Sequence, residues 1–306
     1  MKKNLIKKYF KIFLNFLLFG IIEWKAKIKE DELAFLCNAS SGDTYVFCSY
    51  IESLMEQFSA EKCLVVTTSK QAQIPKMFSK VTRVISTTLI PDVGINDYFL
   101  NINEMRPGVL FPAFSPQFLK MCKIKGDNFH LSFKGLFSIN GEILPSLPRV
   151  EKEKLEFQKT NAPDLSNIVK SKTILLSPYS YSLPPIDGLL WHKIVDICKK
   201  LGYVVLTNCA EGEKPIQGTE KIRFEYGVSL DFVEYAGFFI GMRNGLCDVI
   251  SSANAKLFVI YPDNKSYQLF SLRCHARKEN TKIEEHIMVD EEYLASSIAK
   301  FLTHDN

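Results

Sequence analysis

The sequence predicts an α/β protein of two halves, each a parallel sheet with helices on both faces. Three observations carry that reading. Short apolar runs alternate with segments of helical spacing from Leu33 to Phe111, and again from Thr173 to Pro262, the pattern that strand–helix–strand connections impose. Between these stretches, from Leu136 to Val169, prolines, a glycine and charge replace the alternation, as at a domain boundary. Finally, GFFIGMRNGLCDVISSANAKLFVIYP, Gly237 to Pro262, reads as one compact strand–turn–helix–strand unit.

Composition bounds the function. The chain has 306 residues, 46% hydrophobic and 24% charged, enough for two cores and unlike a disordered chain. Its net charge of +4 is unevenly placed. Residues 1 to 30 hold eight lysines and two glutamates, a balance of +6, which leaves −2 for the remainder. A body without a basic excess argues against nucleic acid as a partner. The eight cysteines form no C-x-x-C pair, and Cys37, Cys63 and Cys198 lie inside apolar runs. They read as reduced core residues of a cytoplasmic protein.

Taken in order, the leader (1 to 30) opens with Lys2, Lys3, Lys7, Lys8 and Lys11 and continues IFLNFLLFGII. That run is too short to span a bilayer, and no small-x-small cleavage site follows it. Residues 1 to 22 therefore read either as a basic helix lying on an anionic membrane surface or as a helix docked on the protein itself. The first α/β domain is expected over 31 to 150. It has strands at Leu33–Asn38, Cys63–Thr67, Val81–Ile85 and Gly108–Phe111, and helices at Thr44–Phe58, Ile74–Phe78 and Ile95–Met105. A linker follows over 151 to 170. The second domain, 171 to 289, has strands at Thr173–Leu176, Tyr203–Thr207, Ile222–Phe224, Phe238–Ile240 and Leu257–Tyr261, with helices at Leu189–Leu201, Ser229–Tyr235 and Leu246–Ala253. Asp290 caps a last amphipathic helix within 290 to 306. Two such halves make a cleft between them the natural place for chemistry.

The turn Met242-Arg243-Asn244-Gly245 sits at a strand's carboxyl end and a helix's amino end. Backbone N–H groups and the helix dipole favour anions there, and an arginine adds a planar donor fork suited to phosphate. The plainer reading is a tight turn with a surface arginine. Asp248, on the following helix, either orients Arg243 or caps locally. Ser177, Tyr179, Ser180 and Ser182 fill the loop after the first strand of the second half, where hydroxyls and amides could hold phosphate or simply form a turn. Asn208 ends the next strand, placed to touch a ribose or base or to terminate the strand. Trp191 is expected to pack and His192 to face solvent. His130 reads as a satisfied surface histidine, with acceptor binding as the alternative.

ILLSPYSYSLPPIDGLLWHKIVDICKKLGYVVLTN followed by FFIGMRNGLCDVISSANAKLFVIYP resembles the donor-binding half of GT-B glycosyltransferases. The similarity is to the bacterial heptosyltransferase-like group that builds lipopolysaccharide and related surface glycans. SSGDTYVFCSYIESL is similar to that group's early glycine–aspartate loop. The resemblance implies two Rossmann-like domains facing a cleft and transfer of a sugar from a nucleotide diphosphate to a glycan or glycolipid acceptor at the cytoplasmic face. It also departs from the family. Arg243-Asn244-Gly245 stands where heptosyltransferases usually carry aspartate–threonine–glycine, and the loop SPYSYS lacks their basic residue. An arginine in this turn is also similar to fucosyltransferase-like GT-B proteins, which leaves a GDP-linked donor open.

Within that reading Asp43 is the candidate base, a role the resemblance implies; capping of the helix from Thr44 is the alternative. Gly42 and Thr44 flank it on the acceptor side. Two rival functions fit the same architecture, a nucleotide-sugar epimerase and a non-catalytic nucleotide- or glycan-binding protein. No cofactor is expected beyond the nucleotide-sugar substrate. The sequence contains no Asp-x-Asp and no carboxylate–histidine cluster at metal-ligand spacing, so an inverting, metal-independent transfer is expected, with Arg243 and the helix dipole neutralising the leaving group. Sugar transfer should accordingly survive EDTA; turnover lost in chelator and restored by magnesium or manganese would overturn this expectation.

Overall fold

A computed structural model of the chain describes residues 2–88, 105–113, 128–138, 141–148 and 168–303. The chain divides into two compact units, Met1–Pro148 and Arg149–Asn306. Of the helix expected over Ile95–Met105 all but Met105, and of the linker expected over 151 to 170 all but 168–170, fall outside the described residues.

The first unit begins with helix α1 (Lys2–Ala26) and is built on four parallel strands: β1 (Glu32–Cys37), β2 (Lys62–Thr67), β3 (Arg83–Ser86) and β4 (Leu110–Pro112). Their order is β3-β2-β1-β4. Every residue of β1 is buried: Leu33 to Cys37 as the apolar run of a strand covered on both faces, and Glu32 in an ion pair with Arg83 at 2.7 Å. Helix α2 (Ser41–Ser49) follows β1 and gives way to α3 (Ile51–Gln57) at Tyr50. The single helix expected from Thr44 thus starts three residues earlier and breaks once. Helix α4 (Gln73–Lys76) precedes β3, and α5 (Phe129–Phe137) covers the α2 side. An aromatic cluster holds α5 there: Phe47 meets Phe35 edge-on at 4.8 Å and Phe133 at 6.0 Å, and Tyr50 stacks on Phe133 at 5.7 Å. Each such pair adds about 0.5–1.5 kcal/mol beyond the area it buries.

The second unit is a six-stranded parallel sheet. Its strands are β5 (Thr173–Ser177), β6 (Val204–Asn208), β7 (Glu220–Ile222), β8 (Gly237–Met242), β9 (Lys256–Tyr261) and β10 (Lys282–Ile287), in the order β10-β9-β8-β5-β6-β7. Helices α6 (Gly188–Lys200), α7 (Tyr226–Ala236), α8 (Gly245–Ile250), α9 (Asn264–Phe270) and α10 (Glu291–Thr303) connect and close it. One core forms where α6 (Leu190, Trp191, Ile194) and α10 (Leu294, Ile298, Phe301) cover Ile174, Ile240, Phe258 and Ile260 of the strands. Trp191 is buried and His192 exposed. Asp290 caps α10, its carboxylate accepting from the Tyr293 amide at 2.9 Å. Strand β10 and helix α9 have no counterpart in the sequence expectations.

Two glycines set where β8 lies. Gly237 ends α7 in the left-handed region at φ +91°, where a Cβ would sit 2.9 Å from the Ser171 Cα. A Cβ on Gly241 would meet the Phe239 ring at 2.5 Å and the Ser177 Cβ at 3.0 Å. Gly237→Ala should therefore lower the unfolding free energy by about 1–3 kcal/mol in urea denaturation. A variant as stable as the parent would show that this backbone relaxes freely.

Candidate functional site

In each sheet the chain winds outward from its first strand, and the direction of winding reverses beside that strand. The reversal falls between β1 and β4 in the first unit and between β5 and β8 in the second. At such a switch point the loops leaving neighbouring strands diverge and open a crevice at the carboxyl ends, where open α/β sheets bind ligands. Of the sequence-predicted site residues, Gly42, Asp43, Ser177, Tyr179, Ser180, Ser182, Asn208, Asn244 and Gly245 stand at these carboxyl ends, whereas Thr44, His130, Met242, Arg243 and Asp248 are buried.

In the second unit the rim is built around Asn244. Ser177 closes β5 in register with Gly241 of β8, so the loop after β5 and the turn before α8 emerge side by side. Asn244 is the N-cap of α8; its Oδ1 accepts from the amides of Leu246 at 3.0 Å and Cys247 at 3.3 Å. Its Nδ2 donates to Ser177 Oγ at 3.0 Å and to the Tyr179 carbonyl at 2.9 Å. One amide side chain thereby fills its full complement of four bonds and clamps both loops together. Tyr179 is anchored at its other end, its hydroxyl donating to the Lys214 carbonyl at 2.6 Å. Burial, with Cys209 and Glu213 nearby, raises its phenol above the ordinary value. Ser180 and Ser182 stand 3.4 Å apart, hydroxyl to hydroxyl, with Ser182 exposed and Tyr181 between them 88% exposed. Asn208 ends β6 half-buried on the same rim, and Gly245 opens α8.

Arg243 departs from the expectation of a surface donor fork. It is only 8% exposed, and its guanidinium turns inward. Nε donates to the Phe270 carbonyl at 2.7 Å, and Nη1 and Nη2 grip the Asp248 carboxylate at 2.8 and 2.6 Å. Nη1 also donates to the Asn244 carbonyl at 2.5 Å. Four of the five N–H donors are thus used within the fold, because a buried carboxylate must be paired. Asp248, 4% exposed, is in turn 3.4 Å from His275 Nε2, whose Nδ1 meets Ser251 Oγ at 3.0 Å. Met242 is fully buried in the core and offers no ligand contact. Burial pushes the neighbouring Cys247 thiol up to about 12, against the pull of Arg243.

In the first unit the rim carries Asp43. Ser40, not Asp43, is the N-cap of α2, its Oγ accepting from the Asp43 amide at 3.4 Å and donating to Asp43 Oδ2 at 2.8 Å. Ser40 and Asp43 stand at the S-x-x-[DE] spacing, here with the carboxylate accepting from the Ser40 hydroxyl, and that spacing could have found Ser40 in the sequence. Asp43 is half-buried in the first helical turn, where the dipole stabilises a carboxylate. Gly42 beside it is buried. Two acceptor-side assignments are corrected. Thr44 is wholly buried, with the Cys37 thiol 3.5 Å from its hydroxyl. His130 is 4% exposed, its Nδ1 2.7 Å from the Tyr50 hydroxyl, and so belongs to the aromatic core instead of the surface.

Solved structures share this fold. The chain superposes on the E. coli ADP-heptose lipopolysaccharide heptosyltransferase II with a TM-score of 0.57 at 10% identity, over 88% of this chain and 98% of that one. Against the E. coli heptosyltransferase WaaC with ADP the values are 0.54 and 13%, over 89% and 100%. Against the dodecameric iron-containing heptosyltransferase TibC in complex with ADP-D-β-D-heptose they are 0.50 and 12%. That match covers 82% of this chain but 62% of TibC, so the chain spans less than two thirds of TibC's length. No family model and no curated protein matches the sequence. The fold is that of the GT-B heptosyltransferases, with two parallel sheets. Among the described residues no group of three or more His, Cys, Asp or Glu stands together as a metal donor set.

The burial of the Arg243–Asp248 pair generates a prediction. Arg243→Ala leaves a buried carboxylate without its principal partner and should cost about 3–5 kcal/mol of stability, and removing Asp248 as well should recover part of it. Equal unfolding midpoints for parent and single variant would show that the pair anchors nothing.

Proposed function

We propose that the chain is a glycosyltransferase that moves a sugar from a nucleotide diphosphate to a hydroxyl of a bacterial surface glycan, lipopolysaccharide or capsule among them, at the cytoplasmic face. The observation that carries this reading is that both sheets, in the fold of heptosyltransferases, place polar chemistry at their switch points. One rim has a carboxylate at a helix N-terminus, and the other has a clamped loop of hydroxyls and amides.

In this reading Asp43 takes the proton from the acceptor hydroxyl as it attacks the anomeric carbon, a single displacement that inverts configuration. Ser40 holds the carboxylate in place through its 2.8 Å bond. The donor lies against the loop Ser177–Ser182, with Asn208 toward the nucleoside and Gly245 and the α8 amino end toward the diphosphate. Arg243 serves that site as a positioning residue, fixing Asp248 and the turn, while its charge is matched by the Asp248 carboxylate. Activity with a panel of ADP-, GDP- and UDP-linked hexoses and heptoses identifies the donor. NMR of the products separates transfer to an acceptor from epimerisation of a free nucleotide sugar.

Asp43→Asn keeps the size and the acceptor oxygen that Ser40 contacts. Its unfolding midpoint and its nucleotide affinity by calorimetry should match the parent, while transfer falls by roughly 10²–10⁴-fold. Transfer at the parental rate would remove Asp43 as the base.

A further inference from the structure

Helix α1 has two unlike faces. Toward its carboxyl end, Ile22 and Ala26 are buried against Leu36, Val66 and Leu110 of the sheet, flanked by Phe19 and Ile28. The helix is also tied off chemically. Arg83 Nη2 donates to the Ala26 carbonyl at 2.7 Å, and Lys27 turns into the left-handed region at φ +47°, a basic side chain and a reversal that suit a helix C-terminus. The leader is therefore a fixed part of the first unit and not a detachable tail.

The other face is apolar and, among the described residues, uncovered. Phe10, Phe13, Leu14, Leu17, Ile21 and Trp24 are between 41% and 77% exposed. Their spacing of three and four residues lines them along one side of the helix, a stripe about 21 Å long at 1.5 Å per residue. Single exposed apolar residues need no explanation, but a continuous stripe of this length on a soluble unit marks a binding surface.

We propose that this stripe docks the protein on an anionic lipid surface, with α1 lying in the interface plane. Charge selects that occupant. The segment carries +6 over residues 1 to 30, which attracts anionic headgroups and would oppose a second copy presenting the same charge. Trp24, the most exposed of the six, stands at the end of the stripe, where an amphipathic ring suits the headgroup level. Insertion across the bilayer is excluded for α1, since its carboxyl end is buried in the protein core, and no helix among the described residues is long and apolar enough to cross a membrane. The inference stands on α1 alone and survives failure of the glycosyltransferase reading.

Because Ile22 belongs to the core, the test uses substitutions on the outward face instead of truncation. The full chain is sedimented with phosphatidylcholine vesicles with and without phosphatidylglycerol, beside the variant Phe13→Ser, Leu17→Ser, Trp24→Ser. The parent should sediment with the anionic vesicles and be released at high salt. The triple variant should keep the parental melting temperature and bind about tenfold or more weakly. The parent's fluorescence should shift to the blue on binding through Trp24, because Trp191 is already buried. Equal sedimentation of parent and variant would overturn the proposal, as would a parent that ignores anionic vesicles. A stripe-dependent dimer with no vesicle uptake would assign the face to a second copy instead.

Discussion

The buried pair of Arg243 and Asp248 fixes the turn on which the second unit's rim is built. A carboxylate placed on the inner side of a short helix loses its hydration, and only a charged, geometrically matched partner offsets that loss. The guanidinium supplies it, and in bonding also to the carbonyls of Asn244 and Phe270 it joins the α8 turn to the end of α9. With the turn held, Asn244 can cap α8 on one side and grip Ser177 and Tyr179 on the other. The order of dependence runs from an ion pair in the interior to a backbone position, and from there to a loop at the surface.

The first unit reaches a comparable rim by different means. There the helix after β1 is capped by Ser40, and the reciprocal bond with Asp43 leaves a carboxylate at the positive end of a dipole. Beneath it lies an aromatic cluster where the second unit has an ion pair. His130 and Tyr50 supply the polar contact inside that cluster, so a histidine that in sequence looks like surface chemistry closes a hydrogen bond within a core.

The sheet strands were legible in the sequence wherever burial on both faces produces an unbroken apolar run, as in Phe35 to Cys37 or Leu257 to Tyr261. Strand β10 was not, because KIEEHI carries charge at Lys282, Glu284 and Glu285, half of its six residues. Its Glu285 looks like a solvent residue, yet it accepts from the Tyr261 hydroxyl and the Leu272 amide, a partnership between distant segments that no local pattern encodes. The site was legible in part for the same reason. Periodicity located the turn at Arg243 and the loop at Ser177, since both follow from where strands end. It could not tell which way the Arg243 side chain points, because that depends on the burial of a carboxylate five residues on, beside His275. The start of α2 was misplaced although its signal, Ser40 three residues before Asp43, was present.

The clamp at Asn244 has a consequence for how the rim can change over evolutionary time. Asn244, Arg243 and Asp248 satisfy one another without any ligand, so the scaffold holds its shape whatever occupies the crevice. Tyr181 and Ser182, by contrast, project from the loop with little of their surface committed to the fold, and substitutions at such positions usually change stability by less than about 0.5 kcal/mol. Ligand selectivity at this rim can then drift at the loop tip, one residue at a time, while the clamp keeps the intermediate forms folded.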